Sequence, residues 1–253
     1  MKRKWLLLAV LIVTGLGLLY SVLIAPSKLS QVQFVVVEKG GAWKSDISRY
    51  VLSYVHLGQD LTPEFLVDLR KKIESLPWVR RCSIDVKGGK LIVKIWEVHP
   101  KFVLIFNRES YLVGENDFVL KKGVEKIESY PVYFYRGKSS PFTVENGFLR
   151  LKKSVKMKLS LLALELRELN LKGKKPQISL LDSGVQLAFE SPPLLVFLGI
   201  GGDAWNRFDR FFKGGFLKPG VYDFRFEQML VIKGRQENVC SENTYNRSRN
   251  KLH

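Results

Sequence analysis

Apolar and polar positions divide this chain into stretches of different character. From Trp5 to Ala25 the sequence is apolar and uncharged, and Met1-Lys2-Arg3-Lys4 precedes it. Wound as a helix, that run reaches about 31 Å, close to the hydrocarbon thickness of a bilayer. A cleaved signal peptide has a shorter apolar core and a small-x-small cut site. Here Leu23 and Pro26 flank the one plausible cut, after Ala25. The pattern therefore predicts one transmembrane helix over 5–25, with the basic arm 1–4 held in the cytoplasm. No second apolar run of that length follows, so the remaining chain is expected outside the cytoplasmic membrane as the bulk of a single-pass type II protein.

After a connector at 26–30, Gln31 to Glu38 is β-rich and predicts a strand. Ile47, Tyr50, Val51, Tyr54 and Val55 share one helical face. Thr62-Pro63 is a helix start, a hydroxyl cap followed by proline at the first helical position. Phe65, Leu66, Leu69, Ile73 and Leu76 form the next apolar stripe, and Pro77 stops it. Val79 to Val86 and Lys90 to Val98 alternate as strands around Gly88-Gly89, a hairpin signal. The order β-α-α-β-β predicts two helices on one face of a small sheet, a two-layer unit over 31–98.

From Phe102 the texture changes to short strands, at Phe102–Phe106, Tyr111–Val113, Phe118–Lys121 and Tyr130–Tyr135. Val155, Leu159, Leu162, Leu166 and Leu169 then mark a long helix. Strands resume at Gln177–Leu181, Val185–Glu190 and Leu194–Leu198. A short helix near Ala204–Phe212 precedes a closing hairpin, Val221–Phe226 with Met229–Lys233. This predicts a second domain over 99–235, mostly antiparallel β with helices. The polar, aperiodic tail 236–253 reads as disordered.

Charge sharpens the picture. Lys and Arg number 41 against 24 acids, for a net charge of +17. Such an excess suits nucleic acid or a membrane surface, but an extracytoplasmic location removes genomic DNA as a partner. Arg150 to Lys175 holds nine bases against Glu165 and Glu168. Lys152, Lys153, Lys156 and Lys158 crowd the start of the long helix, against its dipole. They form a candidate patch for anionic lipid headgroups or an acidic partner helix, or else a solvated face.

Catalytic chemistry finds little footing. Two cysteines, Cys82 and Cys240, exclude a disulfide framework. The three histidines are scattered, which argues against a metal cluster. Gly199-Ile-Gly201-Gly202-Asp203-Ala204 matches a dinucleotide-binding pattern, with Asp223 about 20 residues on. That site needs a parallel βαβ unit, whereas the preceding strands read as antiparallel, so a glycine-rich turn is the better reading. No catalytic, cofactor or metal residue is expected.

Several segments in order resemble one family. Leu76-Pro77-Trp78-Val79-Arg80-Arg81-Cys82-Ser83-Ile84 is similar to an L-P-W-V-x-x-A-x-V segment. Leu91 to Pro100 looks like L-x-I-x-V-x-E-x-x-P through Glu97, and Tyr111-Leu-Val-Gly-Glu-Asn-Asp-Phe118 resembles Y-L-V-D-x-x-G-x-x-F. Leu198-Gly199, Arg207-Phe208-x-x-Phe211 and Tyr222-Asp-Phe-Arg-Phe226 follow. Together they resemble the FtsQ/DivIB bacterial cell-division proteins. Cys82 stands where the family has alanine, and Gly114 where it often has aspartate.

The resemblance implies an α+β chain with a POTRA domain at 31–98 and a β domain at 99–235. It implies a non-enzymatic divisome scaffold at the division septum, whose last strand offers its edge to FtsB/DivIC, which travels with FtsL. The matching segment is Met229, Leu230, Val231, Ile232 and Lys233, flanked by Tyr222, Phe224 and Phe226 and by Arg207, Phe208 and Phe211. Independently, a last strand followed by a polar tail leaves an edge open to strand addition. Other readings are a POTRA-bearing protein of secretion or outer-membrane assembly, and a membrane-tethered cell-wall enzyme. The first expects repeated units or a barrel, the second a clustered acid, base or metal site.

Overall fold

A computed structural model describes residues 28–37, 41–169, 171, 175–226 and 230–232. The arm 1–4, the apolar run 5–25 and the tail 236–253 lie outside the described residues. The chain divides into two compact units, meeting at Val98 and His99.

The first unit orders its elements as β1 (Gln31–Val36), α1 (Lys44–Leu52), α2 (Pro63–Glu74), β2 (Val79–Lys87) and β3 (Lys90–Glu97). The sheet order is β1-β3-β2, with β1 parallel to β3 and β2 antiparallel to it. Strict alternation along β3 sends Leu91, Val93 and Ile95 to the buried face. Ile47 and Val51 from α1 and Leu69 and Ile73 from α2 are buried in the same unit. Thr62 Oγ1 accepts the Phe65 amide at 3.2 Å, so the cap and the proline behind it start α2. Cys82 is fully buried, and desolvation pushes its thiol up to about 11.

One contact carries the family-like acid. No side chain local to α1 caps its N-terminus. Glu97, itself buried, reaches across from the end of β3 instead. Its Oε2 accepts the Gly41 amide and its Oε1 the Trp43 amide, each at 3.0 Å. A carboxylate at a helix N-terminus satisfies orphan donors and meets the positive end of the dipole.

The second unit is built on a nine-stranded sheet of order β14-β13-β12-β11-β10-β7-β4-β5-β6. Its strands are β4 (Pro100–Phe106), β5 (Glu109–Gly114), β6 (Val119–Lys122), β7 (Val132–Tyr135), β10 (Gln177–Leu181), β11 (Gly184–Phe189), β12 (Leu194–Leu198), β13 (Gly220–Asp223) and β14 (Leu230–Ile232). A separate hairpin, β8 (Phe142–Glu145) with β9 (Phe148–Leu151), follows β7. Helix α3 (Lys153–Glu168) comes next in the chain, and α4 (Asp203–Lys213) joins β12 to β13. Val155, Leu159 and Leu162 of α3 and Ala204, Trp205 and Phe208 of α4 share one core with Leu104, Leu180, Leu187 and Val196 of the sheet.

The fold expectation is corrected. Among the described residues no helix is long and apolar enough to cross a membrane. The chain is mixed α/β with four α-helices among those residues. The large sheet is mixed too: β4–β7, β7–β10 and β12–β13 are parallel pairs. Parallel neighbours need a crossover connection. The stretch from β8 through α3 separates β7 from β10, and α4 separates β12 from β13. Periodicity marks the strands but carries no information about which strands become neighbours. The β8–β9 hairpin turns at Asn146-Gly147, both at positive φ, a turn signal that the sequence reading passed over.

Candidate partner-binding edge

The site is assembled from β12, α4, β13 and β14. Helix α4 starts after Gly202, whose φ of 84° suits a residue without a Cβ. Trp205 Nε1 donates to the Gly199 carbonyl at 2.8 Å, which closes the glycine-rich turn onto the helix. The helix buries Ala204, Trp205 and Phe208, and the Phe208 ring lies edge-on to Phe224 with centroids 5.8 Å apart. An aromatic cluster thus fixes α4 against the strand end that leads to the edge.

Strand β13 runs parallel to β12, and β14 pairs antiparallel with β13 through Val221 with Ile232, Tyr222 with Val231 and Asp223 with Leu230. β14 ends the sheet order, so among the described residues no strand pairs with its outer side. Among the described residues its backbone forms one edge of the large sheet, and β6 ends the other side.

Two arginines clamp the chain between β13 and β14. Arg207 Nη2 donates to the Phe224 carbonyl at 3.0 Å and to the Phe226 carbonyl at 2.7 Å, while its Nε lies 3.4 Å from Asp203. Arg225 Nε donates to both oxygens of the buried Asp223, at 2.9 and 3.1 Å, and Nη2 makes a further short bond to Oδ2. Arg225 Nη1 reaches Ser183 at 3.0 Å, and the guanidinium lies over the Phe197 ring. The Arg225 guanidinium holds the Asp223 carboxyl below the usual carboxylate range, and Asp223 raises the arginine in turn.

This geometry sorts the residues read from the sequence. Tyr222, Phe224 and Phe208 are buried in the core. Their rings pack beneath the edge. Arg207 is a positioning group spent on backbone carbonyls. Phe211 is half-buried, with its ring 6.0 Å from Phe224 and 6.3 Å from Phe216. Phe226 is 62% exposed. Leu230, Val231 and Ile232 supply the edge backbone, and Met229 lies outside the described residues. Phe216 is 71% exposed and joins the same aromatic run, but no sequence pattern marked it. Its position just past the helix end, after Gly214-Gly215, breaks the periodicity that would have picked it out.

The basic patch divides as well. Lys156 Nζ sits 2.5 Å from the buried Asp117 carboxylate. Lys158 Nζ donates to the Leu181 and Asp182 carbonyls at 3.2 and 2.8 Å. Lys152 is the N-cap residue of α3, and Lys153 is exposed in its first turn. Two of the four lysines thus tie α3 to the rest of the unit.

The strands before the dinucleotide-like turn pair antiparallel, β10 with β11 and β11 with β12, as expected, while β12-α4-β13 is itself a parallel βαβ unit. Its acid, Asp223, is bound by Arg225, and the Gly199 carbonyl is taken by Trp205. Among the described residues no group of three His, Cys, Asp or Glu side chains is placed to hold a metal ion. No protein-family model matches the chain, and no curated protein matches it in sequence.

Proposed function

We propose that this chain is a non-enzymatic scaffold of the bacterial division complex. It is held at the cytoplasmic membrane with its bulk outside, at the septum. It takes up FtsB/DivIC and, through it, FtsL, by strand addition along β14. The observation that carries the reading is the open β14 edge, held in place by Arg207 and the aromatic cluster. The ordered resemblance to FtsQ/DivIB segments across both units supports it. In strand addition the backbone supplies affinity and flanking pockets supply specificity. The exposed Phe226 and Phe216 are the side chains placed to contribute the second.

The test uses proline. Successive amides point to opposite sides of a strand. Val231→Pro and Leu230→Pro, made separately, therefore remove one outward and one inward donor. One of the two abolishes capture of the FtsB/DivIC protein of the same organism while leaving the thermal midpoint unchanged. Capture retained by both variants refutes strand addition at this edge. A fluorescent fusion concentrates at mid-cell, and uniform membrane staining counts against the division reading.

A further inference from the structure

Helix α3 is apolar on two sides. Val155, Leu159 and Leu162 pack into the core of the large unit. On the other side Met157, Leu161 and Leu164 are 61%, 39% and 57% exposed. Their spacing of four and then three residues lines them up on one stripe, rising about 10 Å along the axis. That spacing is the seam of a helix that packs against a second helix. Single exposed leucines are ordinary, but an aligned set marks a contact surface.

Charge decides the occupant. Lys153, Ser160 and Arg167 recur every seven residues along one flank of the stripe, and all are exposed. An anionic lipid surface fits poorly. Lys156 and Lys158 are drawn into intramolecular bonds, and Glu168 continues the line of the stripe one turn beyond Leu164, where it would meet the headgroups. A second copy fits poorly too, because the helix has more bases than acids and the chain carries +17. A helix whose apolar seam is bordered by acids complements both the stripe and its basic flank.

We infer that the outer face of α3 docks an amphipathic helix of a partner protein through Met157, Leu161 and Leu164, with Lys153 and Arg167 pairing with acidic residues beside the partner's seam. This surface is independent of strand addition at β14, and neither reading needs the other.

The test places the full chain in neutral-lipid nanodiscs and titrates it into a fluorescein-labelled, stapled helical peptide with leucine at the seam and glutamate on the flanks. A matching peptide with lysine flanks is the control. The acidic peptide binds saturably by anisotropy, and the basic one at least about tenfold more weakly. Leu164→Glu and Met157→Glu each weaken the acidic peptide by about tenfold with the thermal midpoint unchanged. Lys153→Glu combined with Arg167→Glu inverts the preference. Equal binding of both peptides, or no effect of either seam variant, overturns the proposal. So does recruitment to phosphatidylglycerol vesicles, or self-association in the ultracentrifuge, that Leu164→Glu abolishes while neither peptide binds.

Discussion

Glu97 offers the sharpest test of how the first unit is held. Glu97→Gln keeps the size of the side chain but removes its charge and turns one acceptor into a donor. In the wild type two oxygens each accept a backbone amide at 3.0 Å, from Gly41 and Trp43, just ahead of α1. Glutamine satisfies one of these amides and sets its own NH2 against the other. Losing one bond to a charged acceptor costs about 1.5–3 kcal/mol, and losing the charge at a helix N-terminus adds about 0.3–1 kcal/mol. Glutamine's remaining flexibility recovers part of this, which leaves about 2 kcal/mol. For a unit of this size each 1 kcal/mol moves the midpoint by about 4–8 °C, so the transition of the first unit falls by about 10 °C. Calorimetry on the whole chain reads the shift. Amide exchange by NMR locates it, because the Gly41 and Trp43 amides lose protection first. A midpoint within about 2 °C of wild type, with those amides still protected, would show that Glu97 does not cap α1. The same reasoning removes Glu97 from any list of catalytic acids, since both its oxygens are committed to backbone.

Two further perturbations probe the large unit. Arg225 holds the Asp223 carboxyl below its ordinary value. The stability this pair contributes is therefore present above about pH 4 and is lost as pH falls through the depressed value. In urea titrations the gap between wild type and Asp223→Asn is widest above about pH 5 and narrows as pH falls through the depressed value; a gap independent of pH contradicts the pairing. Gly184 opens β11 with φ 156°, and a Cβ there would lie 2.1 Å from the Leu198 carbonyl oxygen. Gly184→Ala therefore forces β11 and β12 apart and costs about 2–4 kcal/mol in chemical denaturation, and a loss under about 0.5 kcal/mol would mean that the strands yield freely.

Local signals in the sequence determined the elements. The Thr62-Pro63 start of α2, the alternation of β3 and the apolar stripe of α3 each depend on side chains a few residues apart, and such spacings are readable along a chain. The segments that resemble FtsQ/DivIB are equally local, and they support the proposal that the β14 edge carries. Tertiary structure decided the neighbours. Only in three dimensions do β12 and β13 lie parallel, with α4 between them and β14 at the rim. Only there does Glu97 meet α1 across 54 residues, and Lys156 meet Asp117 across 39. Packing also buried Tyr222, Phe224 and Phe208 and left Phe226 and Phe216 exposed. Spacing along a chain fixes which face of an element a residue occupies. What that face meets is set by packing between distant segments, and the physical reason is that burial, long-range hydrogen bonds and ion pairs exist only once those segments have come together.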